Sequence, residues 1–167
     1  MTQNTKTQSV EQKEPVVYLT RAGYERLKQR LEYLIKVKRP EIAQQIHDAK
    51  AMGDISENAG YDEAKNAQAF LEGEIMELEW KLKHAVIIDE EGPKDEVGLG
   101  SRVRVRYEDT GEEETFTIVG SVEADPFNNH ISNESPVGRA LMGRKVGDVV
   151  DVETPGGTLK LRIVEIE

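Results

Sequence analysis

The chain of 167 residues has no cysteine, which excludes disulfide bridges and cysteine-ligated zinc. Apolar side chains are scarce: aromatics make up 5% and hydrophobic residues 37%, against about 45–50% in an ordinary globular domain. Charged residues reach 32%, a balance that favours long helices rich in surface over one thick core. Positive charge is also short, with 22 Lys and Arg facing 32 Asp and Glu for a net charge of -10. A chain of that sign lacks the cations that supply general affinity for a nucleic-acid backbone. No apolar run approaches the roughly 20 residues of a membrane span, and the N-terminus carries no hydrophobic block of a secretory signal. A soluble, cytoplasmic protein without membrane contact is the expectation.

The acidity is concentrated toward the C-terminus: residues 1–88 hold 13 basic and 14 acidic side chains, residues 89–167 hold 9 and 18. The chain therefore divides into two units. Residues 1–15 are polar and read as a disordered tail. After the short apolar run VVYLT, Thr20 is a candidate helix N-cap, and Tyr24, Leu27, Leu31 and Leu34 recur at helical steps, resuming at Ile42, Ile46 and Ala49. The step from Leu34 to Ile42 is one residue longer than a heptad and contains Pro40, which predicts a kink or a local change of winding. Tyr61, Ala64, Gln68, Leu71, Ile75, Leu78, Leu82 and Ala85 then follow an unbroken alternation of three- and four-residue steps, the seam of a coiled coil.

A single seam needs a partner, and a turn at Gly53 lets the first helix supply it as an antiparallel hairpin over residues 16–88. Charge agrees with this pairing: residues 20–52 carry 8 basic and 4 acidic side chains, residues 54–83 carry 3 and 8. An arm of about 33 residues is about 50 Å long. Residues 89–98 have the Gly, Pro and charge content of a linker. Beyond them the period falls to two: Val103, Val105 and Tyr107 alternate with arginines, and Phe116 and Ile118 continue on a return strand. A short helix opening at Ser135 and Pro136, then two strands around a Pro-Gly-Gly turn, complete an α+β domain over residues 99–167, a small antiparallel sheet with one helix.

The tip of the hairpin, residues 53–58, carries two acids three positions apart, Asp54 and Glu57. With Ser56 as the cap of the second helix, Glu57 would stand in its first turn, where the helix dipole favours a negative charge. Asp54 beside it, with no basic residue between them, gives a second reading: two ionised carboxylates whose repulsion a divalent cation would relieve. Two carboxylates suit magnesium only as half a site, completed by waters and phosphates elsewhere.

Three segments, LTRAGYERLKQRL (19–31), RPEIAQQIHDAKAMGDISENAGYDEAK (39–65) and SPVGRALMGRKVGD (135–148), resemble in order and spacing the GreA/GreB transcript cleavage factors of bacterial RNA polymerase, on the GreA side of the family. The resemblance spans residues 17–167. It implies a coiled coil that enters the secondary channel of RNA polymerase and an FKBP-like C-terminal domain docked at the channel rim. Asp54 and Glu57 would be the catalytic tip acids, sharing a magnesium ion with the polymerase while the free protein binds no cofactor. They would stimulate the polymerase's cleavage of the 3' end of backtracked RNA, so that the factor is an accessory and not itself an enzyme. Asn58 and Tyr61 would support the tip or approach the nascent RNA end, Lys50 and Lys65 would form a basic patch for RNA, and Ser135 and Pro136 would dock on the polymerase.

Gly60 departs from the family pattern, which more often has an acid there. Three other readings compete: a channel-occupying inhibitor of the same fold that does not promote cleavage, a prolyl isomerase, and a dimeric coiled-coil scaffold. Retained tip acids favour cleavage over inhibition, few aromatics are available to line a proline pocket, and an intramolecular seam would make the free factor a monomer.

Overall fold

The computed structural model describes residues 14–53, 58–88 and 95–167, and its elements follow from the patterning. Strand β1 (Val17–Leu19) leads into helix α1 (Arg21–Tyr33). Thr20 caps α1 as expected, its hydroxyl accepting from the Gly23 amide at 3.0 Å. A π-helical turn, Leu34–Lys38, joins α1 without interruption to α2 (Arg39–Ala51). Helix α3 (Ala59–Lys83) returns antiparallel to them and ends in strand β2 (Ala85–Ile87).

The change of winding expected near Pro40 is this π turn. In it the Arg39 amide bonds to the Leu34 carbonyl five residues back. A π turn takes up one residue more than an α turn. The extra residue in the step from Leu34 to Ile42 is thereby absorbed, and both side chains return to the face that meets α3. Pro40, in the first turn of α2, has no amide to donate back to Lys36, so the proline sits where an ordinary helical bond is already given up.

Leu34, Leu71, Ile75 and Leu78 form the buried centre of the hairpin, with Leu27, Leu31, Ile35 and Ile42 packed around them. The seam of α3 is thus covered from within the same chain, which removes the need for an intermolecular coiled coil. The charge asymmetry of the arms becomes cross-arm pairs: Arg39 holds Glu72 through two bonds of 2.9 Å, and Arg30 holds Glu74 at 2.9 Å. Both pairs are solvent-exposed, so they fix register more than they add stability.

Ala85 corrects the seam assignment. Helix α3 stops at Lys83, and Ala85 opens β2, which pairs in parallel with β1 through Val17 opposite Ala85 and Leu19 opposite Ile87. Three-residue strands are too short to show a period, so the sequence could not separate this pair from the helix ends. It closes the base of the hairpin, with Leu19 fully buried.

The C-terminal unit is a five-stranded sheet in the order β5-β4-β3-β7-β6, built from β3 (Arg102–Tyr107), β4 (Glu113–Val119), β5 (His130–Ser132), β6 (Val149–Thr154) and β7 (Gly157–Ile166). The expected alternation holds: Val103, Val105 and Ile118 are fully buried and Phe116 nearly so. They pack with Val150, Val152, Leu161, Ile163 and Leu141 of the one helix in this unit, α4 (Pro136–Leu141). Two features depart from the reading. The sheet is not wholly antiparallel, since β5 pairs in parallel with β4. Val97, inside the segment read as linker, belongs to this core, 2% exposed and exchanging backbone hydrogen bonds with Gly143 and Arg144.

Candidate functional site at the hairpin tip

The C-terminus of α2 and the N-terminus of α3 meet at the far end of the arm. Residues 21–51 run as continuous helix, about 46 Å at roughly 1.5 Å per residue. Helix α2 closes at Met52, and Gly53 follows with φ of +119°, a conformation that favours glycine. Asp54, Ser56 and Glu57 lie outside the described residues. The described chain leaves the arm at Gly53 and resumes at Asn58.

Asn58 does two jobs there. Its Oδ1 accepts from the Tyr61 amide at 3.1 Å, making it the N-cap of α3, and its Nδ2 donates to the Ala49 carbonyl at 2.6 Å. The first bond satisfies one free amide of α3 and the second one free carbonyl of α2, so a single side chain ties the two arms together. This corrects the cap assignment: the cap is Asn58, not Ser56. The Asn58 amide has its acceptor and its donor on separate atoms, Oδ1 and Nδ2, so it makes both bonds at once. Glu57 therefore precedes the cap instead of standing in the first helical turn, where Asp62 is the acid.

Tyr61 follows on α3, half-buried at the start of the seam, with Ala64 buried one turn on. Lys50, in the last turn of α2, and Lys65, on α3, are both exposed, and Lys65 donates to Gln68 Oε1 at 2.9 Å. A Cβ added at Gly60 would stand 3.3 Å from Asn58 Oδ1, a tight contact that the cap side chain would relieve by shifting a few tenths of an ångström. Among the described residues, no group of three or more His, Cys, Asp or Glu side chains gathers into a metal site.

Ser135 and Pro136 stand apart from the tip, in the C-terminal unit. The Ser135 hydroxyl donates to the Ser132 carbonyl at 2.7 Å and accepts from the Gly138 amide at 3.0 Å, capping α4, with Pro136 exposed in the first turn. Gly138 is required by this close approach, because a Cβ there would lie 2.0 Å from the Ser132 carbonyl oxygen. Beside them is an open cleft of about 360 Å³ lined by Pro136, Arg139, Ala140, Asp151, Val152 and Glu153. No aromatic side chain lines it, unlike a pocket built to hold a proline ring.

Comparison with known proteins decides the family. Residues 17–87 match the family model described as transcription elongation factor, N-terminal, and residues 92–167 the one described as transcription elongation factor, GreA/GreB, C-term. The chain belongs to the GreA/GreB family of transcription elongation factors. It is 58% identical over 151 residues to transcription elongation factor GreA of Thermoanaerobacter pseudethanolicus, covering 90% of this chain and 96% of that one. A GreA of Clostridium botulinum (strain Alaska E43) is 54% identical over 156 residues, covering 92% and 98%. Solved structures similar to the chain include the GreA factor homolog 1 of Thermus thermophilus (35% identity, 92% and 99% coverage, TM-score 0.43). Another is the GreA/GreB elongation factor of Nitrosomonas europaea (28% identity, 92% and 98% coverage, TM-score 0.40). The GreA/GreB assignment holds for both units of the chain, hairpin and sheet domain alike.

Proposed function

We propose that this elongation factor is a transcript cleavage factor that delivers two carboxylates, Asp54 and Glu57, to the active centre of RNA polymerase. The hairpin enters the secondary channel, the sheet domain rests on the channel rim through Ser135 and Pro136, and the polymerase cuts the 3' end of backtracked RNA. The factor completes that active site and is not itself an enzyme. It acts in the cytoplasm as a monomer, and the covering of the α3 seam within the chain supports the monomer part of that reading.

The observation that carries this reading is the bond pair at Asn58. It ties the two arms together at the far end of a continuous helix of about 46 Å, and in the sequence Asp54 and Glu57 fall between those two arm ends. The donor set fits magnesium as a shared ion: two carboxylates leave positions open for waters and phosphate oxygens. When bound there, the ion would offset the charge that develops on the cleaved phosphodiester and acidify a water. The chain's own contributions are positional. Asp54 and Glu57 supply anionic oxygens, Asn58 holds the ends of the connection, Tyr61 stands within one turn of it on α3, and Lys50 and Lys65 offer cations toward the RNA phosphates.

Replacing Asp54 and Glu57 with alanine should abolish factor-dependent cleavage in a stalled, backtracked complex while the factor still competes for polymerase. A factor that then slows nucleotide addition without restoring cleavage would be an occupant of the channel. Cleavage undiminished in the double variant would refute the mechanism.

A further inference from the structure

The base of the hairpin meets the sheet domain through one buried carboxylate. Glu123 follows β4 in a short 3₁₀ turn, Ser121–Glu123, and its side chain is only 8% exposed. One of its oxygens accepts from the Thr20 amide at 2.6 Å and the other from the Thr20 hydroxyl at 2.6 Å. The same hydroxyl accepts from the Gly23 amide, so carboxylate, cap and first helical turn form one chain of hydrogen bonds. Arg26 adds a cation at 3.3 Å. The negative charge stands at the N-terminus of α1, where the helix dipole is positive.

Two glycines make room for this contact. A Cβ on Gly23 would lie 2.0 Å from Glu123 Oε1, and one on Gly120 would lie 2.3 Å from the Tyr18 carbonyl oxygen. Tyr18 belongs to β1 and Gly120 immediately precedes the Glu123 turn, so the two units touch at backbone distance. Neither glycine has a positive φ, so close approach and not backbone freedom is the use each serves.

We infer that Glu123 is a positioning residue: it keys the sheet domain to the first turn of α1 and so fixes the direction in which the arm leaves that domain. The inference rests on the proposed delivery of the tip into the polymerase. A small rotation at the base is multiplied along the arm: about 10° over about 46 Å displaces the tip by about 8 Å. If only the keyed orientation enters the channel, loosening the joint reduces the competent fraction of factor, and the apparent affinity falls by that fraction.

The absence of cysteine makes the test direct. Gln45→Cys and Thr158→Cys place one spin label on an exposed site of the arm and one on an exposed site of the sheet. Pulsed electron resonance should give one narrow distance in the otherwise unchanged full-length chain, and a broad or displaced one when Glu123→Gln or Gly23→Ala is added. Glu123→Gln leaves one acceptor oxygen where the carboxylate had two. Gly23→Ala expels the carboxylate while raising intrinsic helix propensity, so its effect is not ascribable to an unfolded arm.

In backtracked complexes, both variants should raise the factor concentration for half-maximal cleavage about 3- to 10-fold and leave the rate at saturation within about twofold. Glu123→Asp, which keeps two acceptors, should recover part of the shift. An unchanged distance distribution in both variants overturns the inference, and so does a broadened one with unchanged half-saturation. Loss of cleavage on substituting the tip acids tests the parent reading separately, because the distance measurement needs no polymerase.

Discussion

The tip is decided by one side chain. Asn58 is cap and cross-arm tie at once, so Asn58→Ala should cost about 1–3 kcal/mol by leaving an amide and a carbonyl unpaired. Asn58→Asp should recover the cap but not the bond to Ala49. Thermal unfolding together with amide exchange at Tyr61 separates the two, since only Asn58→Ala exposes that amide. In the sequence alone Ser56, two positions earlier, is the cap candidate, and the family resemblance implies only a supporting role for Asn58. Ser and Asn are near-equal caps by propensity, and only the position of Ala49 across the turn chooses between them. Glu123 was invisible to such reading for a different reason: its partner Thr20 is 103 residues away in sequence, and a lone glutamate in a loop carries no local pattern.

A second prediction at this scale concerns Tyr107, at the end of β3. Burial and its hydrogen bond to Glu114, 2.7 Å from hydroxyl to carboxylate, push the phenol up to about 12. Ionisation is thus disfavoured in the folded state relative to an unfolded tyrosine near 10. The stabilisation is fully present below about pH 10 and lost as the pH rises toward about 12. Phenolate absorbance in a pH titration should show one late-titrating tyrosine, which Glu114→Gln brings to lower pH.

Among elements, the π turn gives the sharpest test. It exists, on the account above, because Leu34 and Ile42 are eight residues apart while the seam repeats every seven. Deleting Val37, exposed at 47%, together with Pro40→Ala, should convert Leu34–Lys38 to plain α-helix and change stability by no more than about 1 kcal/mol. Deleting exposed Glu77 from α3 should instead rotate Leu78 out of the seam and cost about 4 kcal/mol or more. Thermal melts of the two deletions, with the unaltered chain as reference, check both outcomes. The helices, their seam and the alternating strands β3 and β4 were legible because each repeats its period several times. The pairs β1–β2 and β4–β5 were not, because three residues carry no period and their pairing is set by tertiary closure.

At the scale of the molecule, the design is a lever: a sheet domain, a keyed joint, and a two-helix arm ending in an acidic connection. Net charge, the arm and the family motifs were all readable from the chain; Asp54 and Glu57 lie outside the described residues. The direction of the arm was not readable, since it depends on the burial of one carboxylate between units that are far apart in sequence. The proposed chemistry also belongs to this scale, because two carboxylates are half a site and their effect appears only when the arm lies in the polymerase.

The central claim is that Asp54 and Glu57 share a magnesium ion with the polymerase. Its most direct test is cleavage of a backtracked complex across a magnesium titration, with factor absent, intact, or carrying Asp54→Asn and Glu57→Asn, which keep shape and remove charge. The account predicts that the intact factor lowers the magnesium concentration for half-maximal cleavage by about tenfold, each further carboxylate ligand adding affinity for the cation, and that the double variant returns it to the value of polymerase alone. A double variant that still lowers the midpoint as the intact factor does would contradict it.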